Sequence, residues 1–305
     1  MLSYGTYLLP GTLKEALEAV ATLPPGGRVL AGATDIVPYA REGRGGDVHL
    51  PVVVDLSRVA EFKGHQVGPG TVRLNASLVF QDFLEDATLR EHLPCMPHCA
   101  IWFADDQVRE QATLAGNIAN ASPAADGVPP LLAMNGMVEL ARLEGREVAR
   151  RSLRLDDFIQ GPGKSALAPG ELITAVTVES MRGYGGSFQK VGQRRSLVIS
   201  KVSAAALVKT DPSGTRFEDV RLAIGGVGPV PVRLTDIEAM LNGQPITRRL
   251  VAEAGAIPAD RVASRSMVEY RKRVVSGFVA AAIEDALVAC GAPMPTDADR
   301  EEAHV

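Results

Sequence analysis

Apolar residues near the N-terminus recur first at helical and then at strand spacing, which predicts a small β-loop-helix-β unit. Thr12 and Glu15 fit a capping box, and the apolar positions that follow keep helical spacing until Pro24. A further turn of helix is predicted at residues 38–41, and a buried strand at residues 51–56. We therefore predict a first subdomain at residues 1–58.

The pattern then changes to alternation of apolar and polar residues, which is typical of a half-buried strand and is clearest at residues 72–75. Ser77 has the position of an N-cap for a helix that runs through Phe83. A later apolar run at residues 172–178 predicts another strand. These elements predict a second subdomain at residues 59–178.

The C-terminal part has the strands and turn residues of an antiparallel sheet, followed by helical periodicity. Strands are predicted at residues 202–208 and 220–224, and helices at residues 235–241, 247–256 and 267–290. We predict a sheet-plus-helices unit at residues 179–291. The remaining residues, 292–305, end in a stretch rich in Asp, Glu and Ala and are predicted to form a flexible tail.

Composition narrows the class of protein. The chain has 305 residues, of which 46% are hydrophobic and 22% charged, and its formal net charge is −4. These values are typical of a globular protein of two or three units, and no basic stripe suggests nucleic acid as a partner. No apolar run approaches the roughly 18 residues of a membrane helix. Because the sequence also begins without a charged and apolar leader, we expect a cytoplasmic protein with no membrane partner.

One cluster of residues suggests a metal site but does not complete it. Its members are His92, Cys95, His98 and Cys99. Cys95 and Cys99 have helical spacing, but Pro94 and Pro97 are expected to interrupt that helix, and no further Cys or His follows to complete a tetrahedral site. With Cys290 the chain has three cysteines, too few for a disulfide framework. We predict no metal ligand.

Two stretches of very small residues are the candidates for ligand binding. One covers residues 111–126, and the other, at residues 29–36, leads from an apolar strand into Thr34 and Asp35. Small residues let backbone N–H groups approach an anion closely, so two such loops would hold a phosphate-bearing ligand from both sides. Tight structural turns are the alternative, and spacing alone leaves both interpretations open.

Other nucleotide-binding motifs are incomplete. Residues 161–165 end like a P-loop, but Phe158 stands where its first glycine is required, which favours a surface turn. The glycines within residues 225–228 run into Pro229, which cannot open the helix of a dinucleotide-binding fold. No hydrolytic constellation is evident. By residue type alone, Lys190 is interpreted as solvated surface charge, and Trp102 as part of the core.

Three motifs, in chain order, carry a resemblance to a known family. They are Ala31-Gly32-Ala33-Thr34-Asp35, the run at residues 107–123 that contains Thr113-Leu114-Ala115-Gly116-Asn117, and the run at residues 190–195 that begins Lys190-Val191-Gly192. Over nearly its whole length the sequence resembles the FAD-binding medium subunit of molybdenum hydroxylases, a family that includes the carbon monoxide dehydrogenase and xanthine dehydrogenase flavoproteins. The resemblance implies an α+β fold. Its FAD-binding domain would be of the PCMH type (vanillyl-alcohol-oxidase-like), with two α/β subdomains, followed by a C-terminal antiparallel sheet with helices.

The resemblance also implies a site that holds FAD and contains no catalytic residue. The residues implied to bind the cofactor are Leu30, Ala31, Gly32, Ala33, Thr34, Asp35, Ile36, Phe103, Thr113, Leu114, Ala115, Gly116, Asn117, Asp126, Ile173 and Lys190. The two loops would hold the pyrophosphate, Phe103 would lie beside the adenine, and Lys190 near the flavin. Ala33 and Ala115 stand where many members have glycine, so each methyl group must fit a crowded backbone approach.

The function implied by the resemblance is that of an electron-transfer subunit. It would pass electrons from the iron–sulfur clusters of a small partner subunit through FAD to NAD, oxygen or another acceptor. A large partner subunit would oxidise the substrate at a molybdenum cofactor, in a dimer of heterotrimers. The alternatives are a self-contained FAD oxidoreductase of the same fold and a cofactor-free scaffold subunit. The first of these needs its own substrate acid and substrate domain, which we do not find.

Overall fold

The computed structural model describes residues 2–41, 49–194, 197–264 and 266–292, so nearly all of the predicted tail lies outside the described residues. The strands are β1 Ser3–Leu8, β2 Arg28–Leu30, β3 His49–Asp55, β4 His65–Gly68, β5 Thr71–Asn75, β6 Met137–Glu144, β7 Glu147–Arg154, β8 Ile159–Gly161, β9 Lys164–Ser165, β10 Leu172–Glu179, β11 Gly185–Val191, β12 Val202–Thr210, β13 Phe217–Gly225 and β14 Val232–Arg233. The helices are α1 Leu13–Ala21, α2 Ile36–Arg41, α3 Asp82–Glu85, α4 Ala87–His92, α5 Met96–Trp102, α6 Asp106–Arg109, α7 Leu114–Ala119, α8 Val128–Ala133, α9 Leu155–Phe158, α10 Thr235–Leu241, α11 Arg248–Ala256 and α12 Val268–Ala289. In these ranges no helix is long and apolar enough to cross a membrane.

The N-terminal unit is a parallel sheet of three strands in the order β1-β3-β2, with α1 between its first two strands in sequence. The predicted capping box is confirmed, because the Thr12 hydroxyl accepts from the Glu15 N–H at 3.2 Å and the Glu15 carboxylate accepts from the Thr12 N–H at 3.1 Å. The apolar side of α1 is buried, with Leu17 fully inside the core. The predicted turn of helix before β3 is also present, as α2.

The second sheet is antiparallel, with the order β4-β5-β10-β6-β7. The predicted helix from Ser77 is wrong: α3 begins only at Asp82, after Val79 has formed a bridge with Thr113. The Asp82 carboxylate accepts from the Val79 N–H at 2.8 Å, and the Phe80 N–H donates to the Ala112 carbonyl at 3.2 Å. The Phe80 N–H and the Leu78 carbonyl thus form hydrogen bonds with the second small-residue loop and hold it in place.

The C-terminal unit is an antiparallel sheet in the order β11-β12-β13-β14, covered by α10 and α12, and α11 packs on α12. Its core contains Val208, Ile224 and Ile283. A separate, larger core joins both predicted N-terminal subdomains and also includes residues from the other face of this sheet, Phe188, Ala205, Leu207 and Ala223. The predicted helices match α10, α11 and α12 closely, and α12 ends before Gly291, whose φ is +78°. The exact domain boundaries stay a prediction.

Candidate functional site

A cavity of about 790 Å³ lies between the two N-terminal units and the C-terminal unit, and we call it the central cavity. Its volume falls in the roughly 300–1,000 Å³ range of ligand and cofactor sites. Among its lining residues are residues 30–36, Phe103, Thr113, residues 115–117, Asp126, Ile173 and Lys190. The structure thus brings together every residue implied by the family resemblance except Leu114, which is 1% exposed and packs in the core behind the cavity wall.

The two small-residue loops are in backbone contact. A Cβ atom at Gly32 would lie 1.9 Å from the Gln111 carbonyl oxygen and 3.1 Å from the Cα of Ala112. Only a residue without a side chain permits this approach, because real Cβ atoms do not come so close to backbone atoms. The fold therefore holds the two loops together, and both line the central cavity.

The first loop presents a row of free backbone donors. Within the described ranges, the N–H groups of Gly32, Ala33, Thr34 and Asp35 have no hydrogen-bond acceptor. Ala33 has a φ of +56°, in the left-handed region, so the backbone reverses there and neighbouring N–H groups can converge. Such a concave row of N–H groups binds anions. The left-handed angle also explains why glycine is the residue expected at position 33.

Replacing the two alanines by glycine is expected to have opposite effects. Ala33→Gly relieves a left-handed alanine, so we expect a gain of up to about 1 kcal/mol in the free energy of unfolding. Ala115→Gly, in helix α7 without a positive φ, is the matched control and is expected to lose about 1 kcal/mol. Urea unfolding of the full chain checks both values. Equal losses in the two variants would contradict the proposed strain at Ala33.

The second loop is the beginning of helix α7. Thr113 is its N-cap, and its hydroxyl accepts from the Gly116 N–H at 3.1 Å. The Leu114 N–H donates to the Leu78 carbonyl at 2.8 Å, whereas the Ala115 N–H has no acceptor in the described part of the chain. The Asn117 Oδ1 atom is buried and also lacks a hydrogen-bond partner among the described residues. The loop is thus a structural turn that still leaves one donor and one acceptor at the central cavity.

These unsatisfied groups fit FAD. A buried polar atom without a partner is costly, and it is expected where a ligand supplies the missing hydrogen bond. The free N–H groups at residues 32–35 suit a pyrophosphate, and the Asn117 oxygen suits a hydroxyl or amino group. Phe103 adds a flat apolar wall, since its ring stacks on that of Phe80 at a centroid distance of 3.8 Å. Neither loop contains a His or Cys that could bond covalently to a flavin.

Lys190 does not belong to the solvated surface, contrary to the interpretation from residue type alone. Its side chain is 4% exposed, and its ammonium donates to Asp126 Oδ2 at 2.6 Å and to the Trp102 carbonyl at 3.1 Å. The other oxygen of Asp126 accepts from the Ser200 hydroxyl at 2.5 Å. Burial raises the pKa of the Asp126 carboxyl, and Lys190 and Ser200 act in the opposite direction by stabilising the carboxylate.

The two cysteines of the cluster lie in the core, whereas His92 is half-buried and His98 is exposed. The prediction that Pro97 interrupts the helix is wrong, because α5 starts at Met96 and accommodates Pro97 in its first turn. Cys95 and Cys99 are fully buried, and the Cys99 thiol donates to the Asp126 carbonyl at 3.2 Å. Burial raises the pKa of Cys95 to about 12. The described residues contain no group of three or more His, Cys, Asp or Glu that could hold a metal ion.

Sequence reasoning missed several residues of the central cavity. Arg194, Leu197, Val198 and Ile199 line it from the C-terminal unit, and Ser200 directly follows them. Two features of the sequence could have indicated these residues: they lie just after the motif that begins at Lys190, and residues 197–199 form an apolar run. Trp102, predicted to lie in the core, is instead 40% exposed.

Comparisons with known proteins agree with this geometry. Residues 2–179 match the family described as the FAD binding domain in molybdopterin dehydrogenase, and residues 187–286 match the CO dehydrogenase flavoprotein C-terminal domain. The chain is 26% identical over 298 residues to the xanthine dehydrogenase FAD-binding subunit of Escherichia coli O157:H7, covering 95% of this chain and 99% of that protein. It is 29% identical to the nicotine 6-hydroxylase medium subunit of Paenarthrobacter nicotinovorans, over 92% of this chain and 96% of that protein.

Solved structures show the same fold. A chain of cyanide-inactivated Cu,Mo-CO dehydrogenase superposes with a TM-score of 0.86 at 22% identity, over 95% of this chain and 99% of that one. A chain of carbon monoxide dehydrogenase from Hydrogenophaga pseudoflava gives a TM-score of 0.84 at 23% identity, over 93% and 98% of the respective chains. At this level of identity the structures establish the fold, and the match over residues 2–179 establishes the family. The chain therefore belongs to the FAD-binding subunits of the molybdopterin dehydrogenases, the flavoprotein family of xanthine and carbon monoxide dehydrogenases.

Proposed function

We propose that this chain binds FAD in the central cavity and carries electrons through it from a partner subunit to an external acceptor. The observation that carries the proposal is the set of unpartnered polar groups on both loops, the N–H groups of residues 32–35 and the Asn117 oxygen, which belong to residues that line one cavity. In a scaffold subunit without a cofactor, the buried Asn117 oxygen would have no reason to stay without a hydrogen-bond partner. The flavin supplies the redox chemistry, and this chain supplies binding and orientation.

The proposed contacts divide the cofactor between the two loops and the C-terminal unit. The N–H groups at residues 32–35 would hold the pyrophosphate, with the Ala115 N–H as a further donor. Phe103 would contact the adenine, and Ile173 would give an apolar contact. Lys190 would lie near the flavin, at the side of the cavity formed by the C-terminal unit.

The proposed partners follow from the names of the relatives. Several are called medium chains or subunits, including the carbon monoxide dehydrogenase medium chain of Afipia carboxidovorans. By analogy, a small iron–sulfur subunit would deliver electrons, and a large subunit with a molybdenum cofactor would oxidise the substrate, in a dimer of heterotrimers. NAD, oxygen or another acceptor would take the electrons, in the cytoplasm. Co-purification with the native partners, followed by a substrate screen with dye reduction, tests this assignment.

The purified full chain is expected to be yellow, with flavin absorbance at about 450 nm, and to release that colour on acid precipitation. Release is expected because neither loop offers a His or Cys for a covalent bond to the ring. If added FAD does not bind to the folded chain, the scaffold alternative is favoured. Colour that stays with the precipitate would instead contradict non-covalent binding only. Substrate turnover by the chain alone would favour the self-contained oxidoreductase.

A further inference from the structure

The Asp126 carboxylate connects the FAD-binding domain to two separate points of the C-terminal unit. Asp126 lies in the second small-residue stretch and is 5% exposed. One of its oxygens accepts from Lys190 near the end of β11, and the other accepts from Ser200 just before β12. Between these two residues in sequence lie Val198 and Ile199, which line the central cavity. A single side chain thus fixes the C-terminal wall of the cavity on both of its sides.

The hydrogen bonds of this group leave Lys190 one donor for a ligand. Each oxygen of the Asp126 carboxylate already accepts one short hydrogen bond within the protein, which holds the side chain between Lys190 and Ser200. The Lys190 ammonium has three protons, and two of them are used by Asp126 and by the Trp102 carbonyl. Because Lys190 lines the central cavity, its third proton is the one that can reach a bound molecule.

We infer that Asp126 is a positioning residue, which aims the remaining Lys190 donor at the cofactor and seats the Ser200 segment on the FAD-binding domain. This inference rests on the proposed binding of FAD. It changes the role expected for Asp126 from the family resemblance, where it makes a polar contact to FAD itself. The charge of Lys190 is balanced by Asp126, so the pair offers the cofactor a directed hydrogen bond and little net charge.

A positioning role of Asp126 and a direct contact of Asp126 with FAD predict different effects of Ser200→Ala on FAD affinity. If Asp126 acts through its neighbours, removal of the Ser200 hydroxyl loosens the C-terminal wall and weakens FAD binding. The same substitution has no further effect once Asp126→Asn has already broken the connection, since groups that act as one unit are not additive. If Asp126 binds the cofactor directly, Ser200→Ala changes FAD affinity little, both in the parent and in the Asp126→Asn variant.

The experiment is a double-variant cycle in the full-length chain, with FAD titrated into the apo forms of the parent, Asp126→Asn, Ser200→Ala and the double variant. We expect affinity to fall on the order of tenfold for Asp126→Asn and about threefold for Ser200→Ala, with the double variant equal to Asp126→Asn alone. The flavin midpoint potential is measured in parallel, and it is expected to shift in Asp126→Asn because the Lys190 donor is no longer held.

Glu238→Gln is the matched control for general destabilisation. Glu238 is also buried, and its carboxylate accepts from Arg233 and from the Leu222 N–H at 2.8 Å each, but it does not line the central cavity. Glu238→Gln is expected to lower the free energy of unfolding without changing the flavin midpoint potential. A parent chain that does not bind FAD would overturn the proposed function. A parent that binds FAD, with Ser200→Ala unchanged or with additive effects in the double variant, would overturn only the positioning role.

Discussion

Gly32→Ala is expected to weaken FAD binding on the order of a hundredfold. The added Cβ would lie 1.9 Å from the Gln111 carbonyl oxygen, an atom of the backbone that cannot rotate away, so the two loops must separate. Overpacking of this kind costs roughly 3 kcal/mol, which corresponds to a loss of FAD affinity on the order of a hundredfold when both loops hold the ligand. FAD titration by fluorescence quenching, together with urea unfolding, measures the two effects.

Gly116→Ala is the matched control within the second loop. There the added Cβ would lie 2.8 Å from the Thr113 hydroxyl, so that side chain must shift and its N-cap hydrogen bond is weakened. This loss offsets the preference of about 1 kcal/mol for alanine over glycine in helix α7. We expect FAD affinity within about threefold of the parent value. Should Gly32→Ala bind FAD as tightly as Gly116→Ala while both remain folded, the contact between the loops would not be needed for the site.

The sequence predicted the elements whose local signals agree with their packing. Helix α1 has a capping box and a buried apolar side, and α12 has helical periodicity and Gly291 beyond its end. The β6–β7 hairpin was missed, because charged residues interrupt the apolar pattern of both strands, for example Arg142 in β6 and Arg150 in the edge strand β7. For these strands the pairing partner, and not the local sequence, decides the structure.

Within the site, composition predicted the loops but could not predict their contact. The small residues at Gly32 and Gly116 look alike in sequence, and only the fold shows that the first touches a backbone carbonyl and the second its own N-cap. Lys190 and Asp126 are separated by 64 residues, so their ion pair could not be derived from spacing. A lysine in a polar stretch is usually solvated, and that general expectation is wrong here because a carboxylate and a carbonyl replace the water.

Lys190→Met is expected to lower the free energy of unfolding by about 3–5 kcal/mol at neutral pH, because it leaves the Asp126 carboxylate buried without its cation. Lys209→Met is the matched control. Lys209 pairs with Glu218 on the surface, where its side chain is 41% exposed, so the expected loss is below about 1 kcal/mol. The double variant Lys190→Met with Asp126→Asn removes both charges and is expected to recover a large part of the stability.

The loss in Lys190→Met is also expected to depend on pH. Burial already raises the pKa of Asp126, and without the Lys190 ammonium, which opposes that rise, the pKa of the folded state increases further above the unfolded value of about 3.9. The folded variant then binds a proton that the unfolded chain releases, so its stability falls as pH rises between these two pKa values. The deficit relative to the parent should therefore shrink on acidification toward pH of about 4 and reach its full size above the folded-state pKa. Urea unfolding of parent and variant across this pH range tests the prediction. If the difference in the free energy of unfolding is constant, or becomes larger as the pH falls, Asp126 is not the charge that the substitution leaves without a partner.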